Sequence, residues 1–347
     1  MEIGNFVHLI LKRLAAHKIT LRCSAVRLVI ALQINCKGSY TYLKHMYQNK
    51  VTVTVPASTA NLGSGFDAIG LALELRCSIT VELGSPGFEL RGEGEDLITP
   101  SNDNVILRAM ETIFSEARLE MPPLKVTCTN NIPLARGLGS SSAAIVAGLV
   151  AANEMTGKPF SRNHLLNMAT SIEGHPDNVT PALLGGCQLA VTDNGNVLAS
   201  RIRFPRSLSL VAFIPDFLSK TTESRTVLEP SVSRNAAIYN LSRAALLVNA
   251  LNTGDFSHLR IATQDALHQQ AREKQFPALS ATIQAALNAG AFGAFLSGAG
   301  PTVMAITEER QMTIGYEMSD AATRFGVVGD IRILRPAVRG YQVIGNG

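Results

Sequence analysis

Apolar and polar positions alternate most clearly at VTVTV, residues 51–55, where β-branched side chains recur at every other position and predict a strand ended by Pro56. A polar, glycine-bearing loop follows. Val105, Ile106, Ala109, Met110, Ile113, Phe114 and Ala117 fall at the helical period, so residues 103–117 read as a helix capped by Asn102 or Asp103 and closed by Pro122-Pro123. LKVTCT at 124–129 predicts a second strand, and Ala143 through Met155 predicts a helix stopped by Gly157 and Pro159. GCQLAVTD (186–193) and LSLVAFIP (208–215) read as strands. Residues 235–252 and 255–270 read as helices, and FGAFLSGAGPTVMAI (292–306) as a strand, a glycine turn and a strand. The stretch between 194 and 205 is polar and turn-rich, which places a domain boundary near its end. Strands and helices mix without regular βαβ alternation, so the expected class is α+β.

The length of 347 residues fits two domains of ordinary size, here 51–205 and 206–347. With 46% hydrophobic and 17% charged residues, bulk disorder is excluded. The longest apolar run, Ala143 to Ala152, is half the ~20 residues a membrane helix requires, so no membrane partner is expected. Trp is absent and aromatics make up 5%, which argues against a base-stacking surface. Charge is uneven. Residues 1–50 carry five Lys, three Arg and one acid, whereas the rest holds 23 basic and 26 acidic groups. The body therefore has no electrostatic footprint for nucleic acid. The basic leader reads as a non-catalytic extension, with Met46 as the natural start. A targeting segment and a membrane-surface helix are the alternatives. Five cysteines without a C-x-x-C pair fit a reducing compartment, so a cytoplasmic protein is expected.

Candidate chemistry centres on Gly137-Leu138-Gly139-Ser140-Ser141-Ser142, which joins a strand to the long apolar helix. A helix start offers unpaired N–H groups and the positive end of its dipole. Glycines let amides approach phosphate oxygens, and serine hydroxyls add donors or a Mg²⁺ ligand. No GK[ST] ending makes this a Walker A loop, GxGxxG is not completed, and protein-kinase motifs are absent.

PLARGLGSSSAA at 133–144 closely resembles the phosphate loop of the GHMP small-molecule kinases. VPASTANLGSGFDAIGLAL (55–73) and SGAGPT (297–302) complete that family's pattern in the family's order. Within the family, ANLGSGFD (60–67), EGHPDNVTPALLGG (173–186), TTESRTVL (221–228) and the His268 to Arg272 segment resemble the branch that acts on L-homoserine. The resemblance covers residues 51–342.

It implies a two-domain GHMP kinase fold: an N-terminal ribosomal protein S5 domain 2-like core, a C-terminal ferredoxin-like sandwich, and a site in the cleft between them. The implied activity transfers the ATP γ-phosphoryl to L-homoserine in threonine biosynthesis. By the same resemblance Pro133, Leu134, Ala135, Arg136, Gly137, Leu138, Gly139, Ser140, Ser141, Ser142 and Ala143 hold ATP, with Ser141 and Glu173 on Mg²⁺. Asn61, Asp67, His175, Arg225 and Arg272 line the amino-acid site, where guanidinium groups suit a carboxylate and an acid suits an ammonium. Mevalonate-type members place an aspartate near the acceptor hydroxyl, and either Asp177 or Asn178 matches that position. If Asn178 does, the hydroxyl proton passes to the phosphate. A homodimer is the family's frequent state. A GHMP kinase with another acceptor, and a nucleotide-binding regulator without catalysis, are the alternative functions.

Overall fold

The first strand does not stop at Pro56. In the computed structural model, which describes residues 47–96, 104–219 and 221–344, β1 spans Lys50–Ala60. Its register against the next strand shifts between Pro56 and Ala57. A proline has no N–H for the ladder, and such an irregularity is where a strand can accommodate one. The leader 1–46 and the expected caps Asn102 and Asp103 lie outside the described residues. Four residues of the expected extension belong to the fold. Tyr47 is buried edge-on to Phe114 and its hydroxyl donates to the Glu120 carbonyl at 3.2 Å, while Lys50 opens β1.

The chain continues through β2 (Ile69–Leu83), β3 (Gly87–Gly92), α1 (Val105–Glu116), β4 (Leu124–Asn130) and α2 (Ser140–Met155). Then come α3 (Arg162–Glu173), α4 (Pro176–Leu184), β5 (Cys187–Asp193) and β6 (Asn196–Ile202). These strands and the last, β11 (Gln342–Ile344), form a seven-stranded sheet. β2 is its spine. One edge pairs with β1, and the other pairs with β5 at residues 69–71 and with β4 at residues 77–83. Most of the polar, turn-rich stretch after Asp193 is a strand: β6 pairs with β5 along Cys187–Asp193, and its exposed face explains its polarity.

The second sheet follows the order β7 (Ser209–Pro215), α5 (Thr221–Thr226), α6 (Arg234–Thr253), a 3₁₀ turn at Phe256–His258, α7 (Leu259–Ala262) and α8 (Gln269–Arg272). The helical segment expected over 255–270 is thus broken. It continues through α9 (Leu279–Asn288), β8 (Gly293–Leu296), β9 (Val303–Thr307), α10 (Gln311–Thr323) and β10 (Gly329–Leu334). The four strands lie in the order β10-β7-β9-β8, with α9 and α10 packed over Val211, Phe213, Val303 and Ala305. Fourth, first, third, second is the ferredoxin-like arrangement, and the class is α+β as expected. The chain does not end with this sheet. Ala337 N–H donates to the Ala72 carbonyl at 2.8 Å, and β11 returns to β1.

Helix α2 is buried almost all round, between β1 and β2 on one side and α1 and α3 on the other. That explains a helix apolar on every face. Helix α1 starts one residue after its actual cap, Asn104, whose side chain accepts from Ile106 N–H at 2.9 Å. Helix α4 lies so close to β2 that a Cβ on Gly70 would sit 1.7 Å from the Asp177 carbonyl oxygen. Gly70→Ala should therefore destabilise the fold by about 1–3 kcal/mol, whereas Gly84→Ala, with nothing within 4 Å of its added carbon, should stay within about 0.5 kcal/mol. Denaturant melts of both variants check this; equal midpoints would contradict the close approach.

Candidate active site

Asn130 clamps the exit from β4: its amide donates to the Glu93 and Ile132 carbonyls at 3.0 Å each and accepts from Ile132 N–H at 3.1 Å. The loop that follows is fixed by its carbonyls. Ala135 O accepts from Ser219 N–H (2.8 Å), Arg136 O from Thr302 N–H (3.3 Å) and Leu138 O from Ser58 N–H (3.1 Å). Gly137 O accepts from the Ser297 hydroxyl at 2.6 Å. With the carbonyls tied to the framework, the amides remain as the loop's available backbone groups. Helix α2 begins at Ser140 with left-handed Gly139 as its cap and no side-chain cap bond. Its first N–H groups have no intrahelical partner, and the dipole there is positive.

The glycines are also required by the packing of the loop itself. A Cβ on Gly139 (φ 68°) would lie 2.1 Å from Ser58 Oγ, and one on Gly137 (φ 77°) 2.2 Å from the Ser297 carbonyl oxygen. They let the loop press onto β1 and the 297–302 turn, beyond any room they leave for an anion.

Glu173 ends α3, where Gly174 (φ 93°) turns the chain back. Its carboxylate accepts from Ser141 Oγ at 3.0 Å and from Ser142 Oγ at 2.5 Å. Pro176 then opens α4, with Asp177 in the first turn and His175 just before it. His175 Nδ1 meets Asp177 Oδ1, and the Asn178 amide donates to the same oxygen at 3.3 Å. Ser58 Oγ donates to Asn178 Oδ1 at 2.8 Å.

Across the cleft Asp67 and Arg225 form a two-pronged ion pair, with Nη2–Oδ1 at 2.7 Å and Nη1–Oδ2 at 3.1 Å. Asn61 Oδ1 accepts from Asp67 N–H at 3.0 Å, and its Nδ2 donates to the Gly298 carbonyl at 3.1 Å. Arg272 donates to that same carbonyl at 2.8 Å. Burial disfavours the charge on Arg225, but the bond to Asp67 outweighs it and holds the pKa above the ordinary arginine value. Arg272 is 3% exposed; burial, then the neighbouring Arg225, bring it down to about 10, which still leaves it charged at neutral pH.

All of Asn61, Asp67, Glu173, His175, Asp177, Asn178, Arg225 and Arg272 line one cleft. So do Pro133 and Ala135 through Ser141. Leu134, Ser142 and Ala143 do not line it; Ser142 and Ala143 are buried beneath the loop, and Ser142 reaches the site only through Glu173. Sequence reasoning missed Ser58, Ser219, Ser297 and His268. Ser58 and Ser297 stand inside those motifs, but their side-chain hydrogen bonds reach partners more than a hundred residues away. No local pattern carries that signal.

Comparison with known proteins bears on the same segments. The family description "GHMP kinases N terminal domain" matches residues 104–186, and "GHMP kinases C terminal" matches 246–318. A homoserine kinase of Desulfitobacterium hafniense is 42% identical over 296 residues, covering 85% of this chain and 100% of the relative. The chain belongs to the GHMP kinase family. A second homoserine kinase, from Synechocystis, is 44% identical over 263 residues, 74% of this chain and 86% of the relative. The crystal structure of homoserine kinase from Cytophaga hutchinsonii superposes with a TM-score of 0.77 at 26% identity, covering 86% of this chain and 98% of that one. The structure of L. major mevalonate kinase in complex with R-mevalonate, at 17% identity and TM-score 0.60, shares the GHMP kinase fold. Among the described residues, no helix of this GHMP kinase is long and apolar enough to cross a membrane.

His175 titrates above its usual value. Burial opposes its charge, but the hydrogen bond and charge of Asp177, with the charge of Glu173, overcome it. A raised folded pKa stabilises the fold while the imidazole is charged. The contribution is complete below the ordinary histidine pKa of about 6.5 and disappears as pH rises through the folded value. Urea unfolding of wild type and His175→Asn across about pH 5–8 should show the stability gap shrinking with rising pH; a gap that widens would contradict this sign.

Proposed function

We propose that this GHMP kinase is an ATP-dependent homoserine kinase, converting L-homoserine to O-phospho-L-homoserine. The supporting observation is the composition of one cleft. A helix start without a side-chain cap lines the same cleft as an acid and two guanidinium groups, the complements of a small zwitterion. The named relatives are homoserine kinases along most of their length. Neither mevalonate nor a sugar carries the ammonium–carboxylate pair that Asp67 and the two arginines complement.

In this reading the amides at residues 137–142 bind the nucleotide phosphates. A divalent cation fits beside them, because Ser141 Oγ and the Glu173 carboxylate are hard oxygen donors 3.0 Å apart. Two serine hydroxyls do not exhaust the four acceptor positions of that carboxylate. Mg²⁺, when bound, neutralises charge on the transferring phosphoryl group. Asp67 and Asn61 receive the substrate ammonium, and Arg225 and Arg272 its carboxylate. This fixes the amino-acid end and aims the side-chain hydroxyl at the phosphates, so positioning does much of the catalytic work.

Asp177 and Asn178 orient rather than abstract. The Asp177 carboxylate already meets the His175 ring and accepts from the Asn178 amide, so its oxygens are engaged in holding those two side chains. Asn178 has no basic atom. The hydroxyl proton passes to the phosphoryl oxygens.

An acceptor screen with the purified full chain and MgATP tests the assignment: homoserine should be phosphorylated well above mevalonate and galactose, and comparable rates on all three would refute it. Arg225→Ala and Arg272→Ala should each raise the homoserine KM by the ~1.5–3 kcal/mol of a charge-assisted bond, with the ATP KM far less affected. Equal effects on the two KM values would remove the carboxylate role. Glu173→Ala should abolish turnover without unfolding the protein; unchanged turnover would remove its role at the cation.

A further inference from the structure

His268 stands four residues before Arg272 and is fully buried. Its Nε2 lies 2.9 Å from the Gly63 carbonyl oxygen, and its Nδ1 lies 3.0 Å from Arg272 Nη1. A carbonyl only accepts and a guanidinium only donates. One state of the ring satisfies both: the neutral imidazole with its proton on Nε2. An imidazolium would set Nδ1–H against a guanidinium N–H. The opposite tautomer would additionally set a bare nitrogen against a carbonyl oxygen.

The nearby acid does not reverse this. Asp265 Oδ2 is 3.6 Å from Nε2, beyond hydrogen-bond range. Its oxygens already accept from the backbone N–H groups of Leu267, His268 and Gln269 and from Asn240 Nδ2. Burial likewise lowers the pKa of His268, ahead of the opposing charge of Asp265.

Both ends of the bridge are otherwise anchored. Gly63 belongs to the loop that carries Asn61 and leads to Asp67. Ser64 Oγ donates to the Ala262 carbonyl at 2.7 Å, and Asn240 Nδ2 donates to the Ser64 carbonyl at 3.1 Å. Phe66 stacks on the imidazole at 5.1 Å and lies 5.8 Å and 6.0 Å from the guanidinium carbons of Arg272 and Arg225.

We propose that His268, with its proton on Nε2, is a positioning residue that holds Arg272 at a set distance from the Asn61–Asp67 loop, and so fixes the span of the site to one small α-amino acid. This rests on the reading of Arg272 as the partner of the substrate carboxylate.

The two amide isosteres separate the two ring nitrogens. Asparagine can keep an acceptor where Nδ1 stands and loses the bond to Gly63. Glutamine can keep a donor where Nε2 stands and leaves Arg272 Nη1 without that acceptor. Steady-state kinetics on the full chain should show His268→Gln raising the homoserine KM about tenfold, clearly more than His268→Asn, with the ATP KM moving little in either. Equal effects of the two variants, or parallel rises in both KM values, would overturn the proposal. Arg272→Ala is the control. If it leaves the homoserine KM unchanged, the amino-acid site itself is misread. If it raises that KM while His268→Gln does not, only the positioning role fails. Nitrogen NMR of ¹⁵N-histidine-labelled wild type reads the ring without any variant: an unprotonated Nδ1 with a protonated Nε2 is expected, and an imidazolium at neutral pH would refute the proposal.

Discussion

Four successive carbonyls, from Ala135 to Leu138, are each occupied by a donor outside the loop. This single constraint gives the site its polarity. A peptide unit points its N–H opposite to its carbonyl, so a loop whose oxygens are bound by β1, by the 297–302 turn and by Ser219 has only amides left to offer an anion. The helix that follows adds its own unpaired N–H groups at no cost in side-chain entropy. The donors are set before any ligand arrives, which is the condition under which hydrogen bonds contribute most to binding and to a charged transition state.

The wall of Asp67, Arg225 and Arg272 solves a different problem. An empty pocket holding an acid and two guanidinium groups would be strained electrostatically if each charge stood alone. Here Asp67 and Arg225 neutralise each other in a half-exposed pair, and Arg272 leans on the Gly298 carbonyl and on His268. A zwitterion can enter such a site by exchanging partners, with its ammonium and carboxylate replacing contacts that already exist. Little buried charge is left uncompensated at any stage, which keeps down the desolvation cost that isolated buried ions incur.

Much of this was legible in the residues, and the parts that were not share a cause. The alternation in VTVTV and the apolar stretch after Ser142 predicted β1 and α2, because burial on one face or on all faces leaves a local pattern. Pro56 misled as a strand end, since the tolerance of a proline within a strand depends on the partner's register. Residues 194–205 read only as polar and turn-rich, because an edge strand with one solvated face resembles a polar loop. Among the site residues, those carried by the motif resemblance fall around one cleft, apart from Leu134, Ser142 and Ala143. The framework donors Ser58, Ser219 and Ser297 were invisible. Each is a serine like any other until the fold brings it to a carbonyl far along the chain.

The turn at residues 297–302 shows why both sheets are needed. Ser297 Oγ joins Thr59 of β1 to the Gly137 carbonyl, and Gly298 N–H donates to the Ala60 carbonyl. The Gly298 carbonyl in turn receives Asn61 and Arg272. The glycine-serine loop is built on the first sheet, Arg272 lies on a helix beside the second, and this short turn between β8 and β9 holds both. A displacement of the turn would loosen the loop amides and the Arg272 guanidinium together. The in-line geometry of the proposed phosphoryl transfer depends on the distance between those two groups, and that distance is held by a hairpin that supplies no charge of its own.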